Sequence, residues 1–242
     1  MSEPSLDLDK PSAVGTLDRI TTNVAISLIA VVPTFVTCLI APWRLAELLK
    51  RDDPEGRVGM LLSPGAFFAL SLLVSMMVGA LLTTPEIAQN DGSLLGPNLA
   101  LTIQAAVTEG DVWKVVGAVL PIYVFAVLAG ALGLVFKASI HADWTLRISL
   151  RAMFYVIGAF VSWVILAVSA IGVVRGLSDN VGLANNLAPI TILPSLGLIL
   201  WMYFWFFRKV GAISYFRSGV LAVAMFVLMA MTVVVLGTLD NL

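Results

Sequence analysis

Charge is scarce in this chain and, over six long stretches, missing altogether. Only 12% of the 242 residues are Asp, Glu, Lys or Arg, against 60% hydrophobic, and the mean hydropathy is +1.00. Soluble domains carry roughly a quarter charged residues, so an ordinary water-soluble domain is excluded and the bilayer becomes the main solvent. The formal net charge of −1 gives no long-range pull toward nucleic acid or acidic substrates, and no nucleic-acid partner is expected. A single cysteine, Cys38, allows no internal disulfide and no cysteine metal cluster. Lying in an apolar run, it reads as a small buried hydrophobe. The single histidine, His141, stands two residues before Asp143 in "KASIHADWTLR", without a nucleophile or metal ligand in the pattern. HExxH, GxSxG and P-loop motifs do not occur. No catalytic residue, metal site or cofactor is therefore expected, and His141 reads as a surface residue near the headgroups with Trp144 as an interfacial anchor.

What the chain does have is length in its apolar runs. Residues 24–42, 64–84, 115–136, 152–174, 189–207 and 218–238 contain no Asp, Glu, Lys, Arg or His and are long enough to be candidate spans. The fold class they predict is all-α: a polytopic transmembrane helical bundle of five to six membrane segments, the first possibly re-entrant or interfacial. Residues 1–22 read as a polar flexible tail and 23–242 as one transmembrane domain. Ser63-Pro64 predicts a capped start for the second segment, and Pro189 a start for the fifth, because proline in a first helical turn loses no hydrogen bond. Arg151 is expected to close the loop before the fourth segment. "WMYFWFFRK" at 201–209 reads as an aromatic belt with a basic end, an interfacial anchor.

Lys and Arg are distributed unevenly among the connections. With six full spans, the first, third and fifth connections share a side and hold ten basic residues, against four for the others and the tails. Pro33 lies near the middle of the first segment, where it bends or breaks a helix. Should that segment enter and return on one side, Lys10 and Arg19 change sides and the ratio becomes twelve to two. Either way, loops 43–63, 137–151 and 208–217 are expected in the cytosol, with the C-terminus outward.

The densest charge cluster is "APWRLAELLKRDDPEGRVGMLLSPG" at 41–65. On a helix, Leu45, Ala46, Leu48 and Leu49 fall on one arc and Arg44, Glu47, Lys50 and Arg51 on the other. Glu47 precedes Lys50 and Arg51 by three and four residues, the order that supports a helix. The reading is a short amphipathic helix on the cytosolic surface, its leucines in the acyl boundary. Trp43, Arg44, Leu45, Leu49, Lys50 and Arg51 form the candidate surface for a lipid or protein partner. Asp52, Asp53 and Glu55 join Glu47 in offsetting the basic residues, which weighs against a purely polybasic lipid site.

The long second connection, 85–114, opens with turn signals and predicts a short interfacial helix between Asn98 and Gly110. Its carboxylates lack the spacing of a calcium loop. Small residues four apart, Ser75 with Gly79, Ala126 with Gly130, Ala129 with Gly133 and Gly158 with Ser162, predict close helix packing inside the bundle or between copies. Tyr123, Ser162, Thr191 and Tyr203 are candidate intramembrane polar contacts. The missing intramembrane charge argues against proton-coupled or charged-substrate carriage. Passage of a neutral or amphiphilic solute, with helices bent at Pro121 and Pro194, stays open as the competing reading.

Residues 31–73, "VVPTFVTCLIAPWRLAELL" continuing to "LLSPGAFFALSLL", resemble the opening of the Yip family of small multi-pass membrane proteins and its bacterial relatives. There a proline-containing apolar segment, a surface helix and a Ser-Pro precede the first clear span. The resemblance implies five spans, a cytosolic N-terminus and an outward C-terminus. It supplies no catalytic residue, and the short tail shows no docking motif for the small GTPases that eukaryotic members engage. The expectation is a non-enzymatic protein of a bacterial inner membrane that organises membrane lipids, a protein partner or further copies of itself.

Overall fold

The computed structural model describes residues 13–50, 61–82, 112–140, 144–177 and 181–239, and they are overwhelmingly helical. In order, the elements are α1 (Ala13–Ile40), α2 (Pro42–Lys50), α3 (Pro64–Leu82), α4 (Val112–Leu132), a 3-10 helix (Gly133–Ser139), α5 (Leu146–Leu177), α6 (Val181–Val210) and α7 (Tyr215–Leu239). Three helical stretches are long and apolar enough to cross a membrane: Leu120–Ser139, Leu146–Ala167 and Tyr215–Thr232. A fourth is added if Ala25–Ile40 and Pro42–Lys50, bent by 111° at their junction, count as one broken span. The chain is therefore an all-α, polytopic integral membrane bundle. Of the five to six membrane segments expected, three or four meet the length and hydropathy that crossing requires among the described residues.

Helix α5 is the centre. Ala152, Met153, Tyr155, Val156 and Ala159 are all buried, and α3, α4 and α6 pack around them. Small residues set the spacing, because without a side chain one helix backbone can approach another. A Cβ on Gly130 would stand 3.2 Å from Leu150 Cα, and one on Gly133 would collide with Ser149 Oγ. Ser149 Oγ also donates to the Gly130 carbonyl at 2.7 Å, joining α4 to α5. On the other side, a Cβ on Gly158 would come within 2.8 Å of Phe67, and Ser162 Oγ lies 3.1 Å from Ser71 Oγ, so α3 seats closely on α5. Three of the four small-residue pairs thus include a residue that serves packing within the chain.

Several boundaries differ from the expectation. Helix α1 begins at Ala13, inside the stretch read as a polar tail. It runs unbroken through Pro33, and the sharp bend falls instead at Ala41. Hydroxyls flank the proline: Thr34 Oγ1 donates to the Ala30 carbonyl and Thr37 Oγ1 to the Pro33 carbonyl, each at 2.7 Å. Pro189 lies inside α6 rather than at its start, and Arg151 lies within α5, whose first residue is Leu146. Ser63-Pro64 behaves as expected: α3 starts at Pro64, and the Phe67 amide bonds the Ser63 carbonyl at 2.9 Å. Residues 51–60, the second connection up to 111, and His141 with Asp143 lie outside the described residues, so the interfacial helix between Asn98 and Gly110 does too.

Candidate functional site

The sequence scatters its basic residues over three connections; the fold brings those connections to one end of the bundle. Trp43 of α2 meets Trp205 of α6 with ring centroids 5.0 Å apart. Trp144, just before α5, meets Phe207 at 4.9 Å. Arg151 Nη1 of α5 donates to the Leu49 carbonyl in the last turn of α2 at 3.3 Å. A cation there also complements the partial negative charge of a helix C-terminus. The close approach of Gly211 to Ile140 ties the turn after α6 to the 3-10 segment. Around this end stand Arg44, Lys50, Lys137, Arg147, Lys209 and Arg217, all exposed, with Arg151 and Arg208 half-buried.

Helix α2 roofs this end, and its two faces go to different places. Leu45 and Leu49 are 0% and 1% exposed, packed with Ala46 and Leu48 against the protein's own core. They were expected in the acyl boundary. The correction is physical: α2 is pinned by α6 along its length and by Arg151 at its end, so the bundle covers the leucines before lipid can. Arg44, Glu47 and Lys50 face outward, Trp43 is half-buried, and Arg51 lies outside the described residues.

The aromatic end of α6 forms a continuous cluster. Trp201 stacks on Phe204 and meets Trp205 edge-on, Phe204 stacks on Tyr215, and the Arg208 guanidinium sits 4.6 Å over the Tyr215 ring. Arg208 Nη1 also donates to the Ile213 carbonyl at 2.9 Å, and Trp201 Nε1 to the Leu39 carbonyl at 3.1 Å. Trp201 and Tyr215 are exposed, as an interfacial belt requires. Trp144 is different: at 1% exposure it is a core residue under Phe207 and not the anchor its neighbourhood suggested.

The candidate intramembrane polar residues are not brought together. Ser162 bonds Ser71 Oγ and its own helix at the Gly158 carbonyl. Tyr203 is fully buried, its hydroxyl 3.4 Å from Met153 Sδ. Tyr123 lies on an outer face, 49% exposed and stacked on Phe154. The side chain of Thr191 lies outside the described residues. Sequence reasoning passed over a buried polar node, Thr34 with Tyr155. Thr34 Oγ1 accepts the Leu62 amide at 3.0 Å, and Tyr155 donates to the Leu62 carbonyl at 2.7 Å. The one available signal was a hydroxyl beside Pro33 in an otherwise apolar run.

Beside Tyr123 is a groove of about 400 Å³ between α3 and α4, floored by α5 and lined by Gly65, Phe68, Ala69, Leu72, Leu73, Tyr123 and Phe154. Phe68 and Phe154 stack at 5.2 Å, and Tyr123 completes the cluster at 6.4 and 6.1 Å from them. Among the described residues no group of His, Cys, Asp or Glu is placed to hold a metal ion.

The fold and the apolar exterior thus define a class, the multi-pass α-helical membrane proteins. Comparison with family models, curated proteins and solved structures finds no match for the chain.

Proposed function

We propose that this chain is a non-enzymatic organiser of lipid or protein partners, with the basic end of its bundle as the working face in the cytosol of a bacterial inner membrane. One observation carries the reading: α2 is anchored by its leucines and presents Arg44, Glu47 and Lys50 outward from a fixed support. A held ledge of this kind loses little conformational freedom when a partner docks. The gathering of basic groups at one end supports the cytosolic orientation, since Lys and Arg stay on the side of synthesis. The Yip-like opening at 31–73 is in keeping with an apolar first helix that bends sharply at Ala41 into α2, followed by the Ser63-Pro64 start of α3.

A permease for a neutral or amphiphilic solute, the competing reading, requires a polar path. Ser162 and Tyr203, two of the candidate intramembrane polar contacts, spend their hydroxyls on neighbouring helices. The test is recovery of partners from the native membrane by crosslinking and mass spectrometry, comparing the unaltered chain with the double variant Arg44→Glu, Lys50→Glu. Loss of crosslinked species with insertion intact is the expected result. An unchanged profile refutes the α2 ledge as working face, and solute flux in liposomes that Ser162→Ala abolishes favours the permease.

A further inference from the structure

We infer that the groove between α3 and α4 is a binding site for one anionic phospholipid of the surrounding bilayer, with an acyl chain against Phe68, Tyr123 and Phe154 and the phosphate at Arg147. The inference rests on the reading of the chain as a membrane organiser and adds a ligand class at a place separate from α2.

Three observations converge. The first is the medium. Around the groove the outward side chains are apolar, among them Leu73, Leu120, Val124 and Leu128, each 40% exposed or more. That surface is stable only in contact with hydrocarbon, so the groove opens into acyl chains and not into water. The second is shape. Gly65 and Ala69 leave the α3 wall low, and a Cβ on Gly65 would meet nothing within 4 Å. The opening has about 400 Å³, and the rings of Phe68, Phe154 and Tyr123 offer an acyl chain apolar contact along it.

The third is charge in register with that floor. Arg147 precedes Phe154 by seven residues on the same unbroken helix. Two turns of α-helix nearly restore the direction, so the two side chains leave α5 within about 20° of each other and about 10 Å apart along the axis. Arg147 is exposed and belongs to the basic end. A phospholipid carries its phosphate just above the start of its acyl chains, so a chain lying on Phe154 brings that phosphate to the guanidinium, whose planar fork suits phosphate oxygens. A second copy of this chain would fill the apolar groove as well, but would bring no phosphate to the height of Arg147.

The experiment uses the full chain in a mild detergent, exposed to palmitoyl-oleoyl phosphatidylglycerol or phosphatidylcholine, with bound lipids counted by native mass spectrometry. The unaltered protein should retain phosphatidylglycerol about fivefold better, because choline offsets the phosphate charge in phosphatidylcholine, whereas one basic residue near a net anionic headgroup is worth about 1 kcal/mol. Arg147→Gln should erase the preference, lowering phosphatidylglycerol retention much more than phosphatidylcholine retention. Ala69→Phe, which fills the groove, should lower retention of both lipids. Gly65→Leu at the rim is the second filling variant, should Ala69→Phe fail to fold. Preference that survives Arg147→Gln overturns the inference, as does retention unaffected by the filling variants, or a filling variant that converts a dimer to monomer with lipid retained. Partner recovery through Arg44 and Lys50 is read separately, so failure of the lipid site and failure of the α2 surface remain distinguishable.

Discussion

The phenol of Tyr155 donates a 2.7 Å hydrogen bond to the backbone carbonyl of Leu62, whose amide is in turn held by Thr34 Oγ1 at 3.0 Å. Both polar groups of Leu62 are thus satisfied just before α3 begins, by side chains from α5 and α1. That matters in a buried setting, where an unpaired carbonyl costs more than a made bond contributes. Tyr155→Phe is expected to lower unfolding stability in detergent by about 1–3 kcal/mol, measured by thermal or denaturant melting. Thr34→Val should act similarly. Because the two share Leu62, their effects should couple by about 0.5 kcal/mol or more in a double-mutant cycle, and strict additivity would show that the node is not a unit.

The burial of Leu45 and Leu49 changes what their substitution should do. Leu45→Ala removes a side chain that is 0% exposed and should cost about 2–5 kcal/mol, whereas Arg44→Ala on the outer face should stay within about 0.5 kcal/mol. Melting both variants in the same detergent checks the contrast. Were the leucines in lipid, Leu45→Ala would be nearly silent.

How far the sequence reached is clearest at α2 and Trp144. Periodicity revealed that α2 has an apolar face, but a period says nothing of what covers that face. In water an apolar stripe must point inward; in a bilayer, lipid and protein interior are equally acceptable to leucine. The same degeneracy made Trp144 look like a headgroup anchor when Phe207 covers it. Signals that rest on backbone chemistry or charge transferred better. Ser63-Pro64 marked the start of α3, and the Lys and Arg distribution anticipated one basic end. The groove at Phe68, Tyr123 and Phe154 was not legible, since it depends on three helices meeting with a gap between two of them.

Close helix approach gives a third prediction. At Gly158 a Cβ would meet both the Phe67 ring and the Phe68 backbone, the latter at 3.3 Å. A backbone cannot move aside as a flexible side chain can, so Gly158→Leu should push α3 off α5 and cost about 1–3 kcal/mol or more. Gly197 has nothing within 4 Å of a built Cβ. Gly197→Ala should therefore be neutral or slightly stabilising through helix propensity, and comparison of the two melting curves tests the packing.

The turn between α6 and α7 carries a correctable strain. Ala212 adopts φ 49°, the left-handed region, just past the end of α6. A side chain there costs roughly 1–2 kcal/mol, and glycine is the usual solution at such a cap. Ala212→Gly should raise the melting temperature in detergent, and Ala212→Val should lower it. Equal shifts of one sign would show that the backbone relaxes out of that region.

Sidedness can be settled by chemistry on intact cells. Lys50 and Lys209 are both exposed at the basic end, while the native Cys38 is 0% exposed. A membrane-impermeant maleimide should therefore see only a cysteine placed on the accessible side. With the basic end in the cytosol, Lys50→Cys and Lys209→Cys should resist labelling in intact cells and react fully once the membrane is opened. The two positions sit on α2 and α6, joined through the contact between Trp43 and Trp205, so they must report together. Labelling of both in intact cells would invert the orientation and move the proposed working face outside. Labelling of one alone would mean that α2 leaves the bundle in the living membrane, freeing Leu45 and Leu49 for lipid.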